Sequence, residues 1–118
     1  MHGNEKFQNL LERINAHEKV IGSVLVGDDG EIFAQNLPEG MDPRAVGVWG
    51  LAMCQKSGHS LRGADAGELT QIGARTTDGC IVVTEFSAGA IVTMTNGGDS
   101  KTLVPLMHSV AELLSEYK

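Results

Sequence analysis

Asp28, Asp29 and Gly30 stand between the apolar runs "KVIGSVLVG" and "EIFAQN". Carboxylates at this spacing could open a calcium loop. Such a loop needs further oxygen ligands at alternate positions and a late glutamate. Ile32 and Phe33 follow instead, and neither has a side-chain oxygen. Asp-Gly between two strand-like runs is otherwise a tight hairpin turn, because glycine accepts the positive φ such turns need. A turn is therefore expected.

The other reactive residues are as sparse. "HEKVI" at His17 begins like the zinc motif HExxH, but Ile21 stands where the second histidine belongs. His2 lies at the N-terminus, His59 is read into the loop after the second helix, and His108 falls on the polar side of the last helix, none with a partner at ligand spacing. "NGGDSKT", residues 96–102, sits where a phosphate loop would, between a strand and a helix. The P-loop pattern requires glycines one and six positions before its lysine, and for Lys101 these are Ser100 and Thr95. The nucleophile-elbow pattern GxSxG also fails, since "IGSVL" has no glycine after Val24. Cys54 and Cys80 have neither CxxC nor zinc-ligand spacing and read as reduced thiols filling a core. No catalytic residue, metal or cofactor is expected.

Those 118 residues make one domain, 1–118, large enough to bury roughly two thirds of its unfolded surface. An apolar content of 42% and a charged content of 20% suit a folded globular chain. The net charge of −6 and scattered Lys and Arg argue against a nucleic-acid groove. "MHGNEKFQNLLERI" has no signal-peptide h-region, and no run of about 20 apolar residues follows anywhere, so a cytoplasmic protein without membrane insertion is expected.

The elements follow from periodicity. Phe7, Leu10, Leu11 and Ile14 recur at helical spacing. "KVIGSVLVG" is apolar on both faces, as a central strand covered on both sides should be. After the turn and the short strand "EIFAQN", Asp42 as N-cap and Pro43 at the first helical position begin a second helix in "PRAVGVWGLAMCQKSGHS", whose end at His59 is read as loop. "LTQIGARTT" is polar enough for an edge strand. Asp78-Gly79 and "SAG" then turn the chain into "CIVVTEF" and "AIVTMTN", completing a meander. Leu103, Leu106, Met107, Val110, Leu113, Leu114 and Tyr117 mark a last helix, with Pro105 expected in its first turn. Hairpin connections make this an α+β domain with a largely antiparallel sheet and covering helices.

The second helix is unusual. From Ala45 to Cys54 every residue is apolar or glycine, so no polar stripe marks a solvent face. Val46, Trp49, Gly50 and Met53 form one apolar face, and Ala45, Val48, Leu51 and Ala52 another. Gly47 and Gly50 each cost roughly 1 kcal/mol against alanine in a helix, which close approach of another backbone would offset. A sheet covers only one side of a helix, so burial against a second subunit is the preferred reading over a helix wrapped within one chain.

In "VIGSVLVGDDGEIFAQNLPEG", the apolar second helix and "GELTQIGARTTDGCIVVTEFSAGAIVTMT", the chain resembles the roadblock/dynein light-chain family, relatives of the profilin-like and longin folds. The resemblance covers nearly the whole length. It implies a five-stranded antiparallel sheet with helices on both faces in the order α-β-β-α-β-β-β-α, the central helix on one face and the terminal helices on the other. It also implies a homodimer in which second helices pack antiparallel and third strands pair edge to edge. Expected contacts are Val46, Val48, Trp49, Gly50, Ala52 and Met53 on the helix, with Ile72 and Ala74 on the strand. Family members are non-enzymatic platforms, among them regulators of Ras-like small GTPases and adaptors of motility and trafficking complexes. A suspected GTPase partner would meet the central-helix face, with Arg44 and Lys56 as contacts. No arginine finger is evident, Arg62 and Arg75 being candidates only by elimination. The competing function is a small-molecule sensor of profilin-like fold, which would need a pocket with convergent polar groups.

Overall fold

The computed structural model describes residues 2–17, 19–98 and 100–116, without the side chains of residues 2–4 and 100. Its elements are α1 (His2–Asn15), β1 (Val20–Gly27), β2 (Ile32–Asn36), α2 (Pro43–Gly63), β3 (Gln71–Arg75), β4 (Cys80–Phe86), β5 (Gly89–Thr95) and α3 (Ser100–Glu116). The expected α-β-β-α-β-β-β-α order is present. The strands form one antiparallel sheet in the order β2-β1-β5-β4-β3, so β1 and β5 are central while β2 and β3 are edges.

Strand alternation gives the sheet two apolar faces. Leu25, Ala34, Val82 and Ile91 point to one, where Leu10, Leu11 and Ile14 of α1 and Leu106, Val110 and Leu114 of α3 cover them. Phe7 stacks on Phe33 at a centroid distance of 5.7 Å and extends this layer to β2. Val24, Val26, Val83, Ala90 and Val92 point to the other face, against Leu51 and Cys54 of α2. β1 is thus covered on both sides, as its continuous apolar sequence implied.

The Asp28–Gly30 segment is a turn. Gly30 has φ +87° and donates its N–H to the Gly27 carbonyl at 2.9 Å. The Asp29 carboxylate accepts the Glu31 N–H at 3.0 Å, so it closes the turn. Both long helices exceed their expected limits. α2 continues to Gly63, which puts His59 in the helix. α3 starts at Ser100, so Pro105 stands in its second turn. Tyr117 of the expected apolar pattern and Asp99 of the Gly-rich loop lie outside the described residues.

The two sheet edges differ. At β2 the carbonyls of Gln35 and Asn36 accept the side-chain amides of Gln8 and Asn15, at 3.3 and 3.1 Å. The Ser23 hydroxyl donates to Asn15 Oδ1 at 2.7 Å and fixes that amide. At β3, Thr70 accepts the Glu85 N–H and Thr76 donates to the Gly79 carbonyl, so even-numbered residues turn their backbone groups toward β4. The backbone groups of Gln71, Gly73 and Arg75 therefore point outward from the sheet.

Candidate functional site

The site is the uncovered part of the α2 face. Asp42 has an extended backbone and its carboxylate accepts the Arg44 N–H at 3.0 Å, which with Pro43 fixes where α2 begins. From that start, Gly47, Gly50, Leu51, Cys54 and Gly58 fall on the side facing the sheet. A Cβ at Gly47 would lie 3.1 Å from Val26 Cβ, and one at Gly50 would overlap Val92 Cγ2. The close approach expected of these glycines is thus made to β1 and β5 of the same chain. Gly50 is spent inside the monomer and is not part of an outer contact surface, a correction to the sequence reading.

The outer side of α2 is not buried. Val48 and Trp49 are each 44% exposed, and Ala45 and Ala52 are exposed beside them. On the flank toward β4 and β3, Ala45, Val46 and Trp49 border an open cleft of about 270 Å³ against Ile81, Val92 and Met94. It continues along the helix as a groove lined by Met53, Lys56, Leu61, Leu69 and Ile72. On the opposite flank a Val48 methyl packs 3.7 Å from the Cβ position of Gly30. Arg44 there lines a depression with Asp29, Gly30, Glu31 and Ile32.

The residues expected at the dimer contact therefore separate. Val46, Trp49, Met53 and Ile72 lie together on the β3 side, and Ala74 shares the face of Ile72 by strand alternation. Ala52 faces outward and Val48 lies on the far flank. Arg44 and Lys56 likewise occupy opposite flanks rather than one patch. Ile81, Met94, Leu61 and Leu69 join the apolar surface without having been singled out. Their alternation was visible in sequence, but their exposure depends on where α2 crosses the sheet.

Chemistry is scarce on this surface. Burial, and secondarily the Glu85 carboxylate, push the Cys54 thiol up to about 11, so it is protonated at neutral pH and no nucleophile. Arg62 meets Glu68 at 3.4 Å in an exposed pair. Among the described residues no group of three His, Cys, Asp or Glu could hold a metal ion, and no helix is long and apolar enough to cross a membrane. The cleft beside Trp49 has only apolar side chains around it, without the convergent polar groups of a small-molecule site. In the Gly-rich loop, Gly97 donates its N–H to Asp78 at 2.6 Å, and the Thr95 hydroxyl binds the Gly97 carbonyl and the Cys80 N–H, both at 2.9 Å. These bonds tie the loop to the β3–β4 turn.

No protein-family model and no curated protein matches the chain. Solved structures do. MglB of Myxococcus xanthus superposes with a TM-score of 0.83 at 11% identity, over 99% of this chain and 87% of that one. The gliding protein MglB from Thermus thermophilus gives a TM-score of 0.76 at 11% identity, over 97% and 86%. A Roadblock/LC7 domain from Streptomyces avermitilis gives 0.75 at 13% identity, over 93% and 95%. At such identities the likeness is one of architecture, and it agrees with the element order, the sheet order and the placement of the helices. The chain has the Roadblock/LC7 fold.

Proposed function

We propose that this chain is a non-enzymatic, cytoplasmic scaffold that works as a homodimer and docks a Ras-like small GTPase. One observation carries the reading: an uncovered apolar flank of α2 and an open strand edge lie on the same side of the molecule. Val46, Trp49, Met53, Ile72, Ile81 and Met94 leave that flank part-exposed, and the outward backbone of β3 borders it. An unpaired edge and a contiguous apolar patch both favour association. A second copy related by a two-fold axis would cover both at once, an isologous contact.

Pairing through the β3 flank leaves the outward sides of the two α2 helices as a platform across the axis. Ala45, Val48 and Ala52, with Arg44 at the helix start, are exposed there, a surface poor in the charges that interface cores exclude. The opposite face carries exposed Glu12 and Glu112. The platform is therefore assigned to the GTPase, one copy per dimer, and Lys56, which borders the β3-side groove, to the rim of the dimer contact. The likeness to MglB structures and the resemblance in sequence support a GTPase-linked or motility role.

Light scattering at micromolar concentration should give twice the 12.5 kDa chain mass. Trp49→Glu should give a monomer, because an unpaired carboxylate in that contact costs several kcal/mol. Val48→Glu and Arg44→Glu should keep the dimer while weakening binding of a Ras-like GTPase from the same genome about tenfold or more in titration calorimetry, which is roughly 1.4 kcal/mol. Glu12→Lys and Glu112→Lys should leave binding unchanged. A monomeric unmodified protein removes the homodimer. A dimer that binds no GTPase in either nucleotide state leaves only the scaffold.

A further inference from the structure

We propose that α3 is a latch for the edge strand β3. With α3 seated, β3 stays on the sheet and is competent for assembly; with that contact released, β3 opens by itself while β1, β5 and β4 remain paired. Only the effect on assembly rests on the homodimer proposed above.

β3 holds itself poorly. Gln71, Gly73 and Arg75 alternate toward the α3 face, so the strand brings no apolar side chain to that side. Ile72 points the other way and borders the open groove with Met53. No β3 residue is buried, whereas six of the seven β5 residues are. A glycine inside a strand weakens it further. Segments with few buried apolar contacts open before the rest of a fold.

α3 supplies what β3 lacks. Leu103 and Met107 lie directly over Gly73, where a Cβ would come within 3.1 Å of Leu103 Cδ1 and 2.7 Å of Met107 Sδ. The Gln71 amide donates to the Met107 carbonyl at 2.8 Å and to the Thr84 hydroxyl at 3.0 Å, so one side chain ties α3, β3 and β4 together. The helix itself is anchored elsewhere: Leu106, Val110 and Leu114 are buried in the layer shared with α1. Pro105 stands between Leu103 and those anchors and brings no N–H to the helical ladder, which loosens the first turn from the turns that follow. The first turn can therefore carry Leu103 off Gly73 while the core beneath α3 stays closed. Gln71 is the positioning residue of this device.

Neighbouring amides on β4 read the latch directly. By strand alternation Ile81 and Val83 turn their N–H groups toward β3, and Val82 and Thr84 turn theirs toward β5. Leu103→Ala removes a latch contact without touching the α2 face, and Gln71→Leu removes the donor at similar size. Each should speed amide exchange at Ile81 and Val83 about fivefold or more while Val82 and Thr84 stay within about twofold. Gln71→Lys keeps a donor at that reach and should restore most of the protection. The double variant Gln71→Leu, Leu103→Ala should also raise the dissociation constant of the dimer about tenfold or more, because only the closed fraction can pair.

Equal acceleration at all four amides would make the contact an ordinary part of the core. No acceleration at Ile81 and Val83 would mean that α3 does not hold β3. Either result overturns the latch. Faster exchange at Ile81 and Val83 with an unchanged dissociation constant in the double variant overturns its control of assembly. A monomeric unmodified chain fails the proposed homodimer instead, and the four amides then decide the latch in that monomer.

Discussion

The two faces of the sheet are finished to different degrees. Beneath α1 and α3, Leu10, Leu11, Leu25, Ile91 and Leu106 are fully buried, and two helices share the covering. Beneath α2 a single helix lies over β1 and β5, and Ile72, Ile81 and Met94 stay part-exposed toward β3. One face is a core complete within the chain. The other is a core along its centre and an uncovered apolar surface along its side. The number of covering helices separates them.

Mutations should separate them in order of size. Leu10→Ala on the closed face removes a fully buried side chain and should cost 2–5 kcal/mol, roughly, in urea unfolding. A loss under about 1 kcal/mol would mean that this layer is not the main core. Gly50→Ala on the α2 face raises helix propensity yet drives a methyl into Val92, and should cost about 1–3 kcal/mol. Combined with Val92→Ala it should cost less than the sum of the two single changes, because both act on one contact. Strict additivity would disprove the close approach. Thr93→Val has the smallest expected effect. The Thr93 hydroxyl is buried with no hydrogen-bond partner among the described residues, so its removal should raise unfolding stability by about 1 kcal/mol. Destabilisation would show that the hydroxyl is bonded in solution.

Much of the fold was legible, because its signals are local. Asp42-Pro43 marks the start of α2 and Asp-Gly marks two turns, while "CIVVTEF" coincides with β4 residue for residue. The orientation of α2 was harder to read. A polar stripe normally tells which side of a helix meets solvent, and Ala45–Cys54 contains none. The usable signal was size rather than polarity: Gly47, Gly50, Cys54 and Gly58 recur at helical spacing and form the side that lies closest to the sheet. Reading those glycines as a contact with another subunit misplaced Gly50 for that reason. Pro105 was expected in the first turn of α3, but the helix began earlier, in residues whose small polar side chains read as loop. The split of Val48 from Trp49 depends on which strands lie beneath each flank, a long-range fact that no local pattern encodes.

The unlike edges of the sheet also decide how far assembly can run. Strand addition needs free backbone groups at the point of growth. A sheet with two such edges could recruit copies without limit and grow into a fibre. In this chain the Gln8 amide takes the Gln35 carbonyl on the β2 margin, and Pro38 follows two residues beyond the strand. In the proposed dimer, with two copies joined through β3, both outer margins of the combined sheet would be β2 strands. The open edge of each copy would then cover that of the other, and strand addition would stop at two copies.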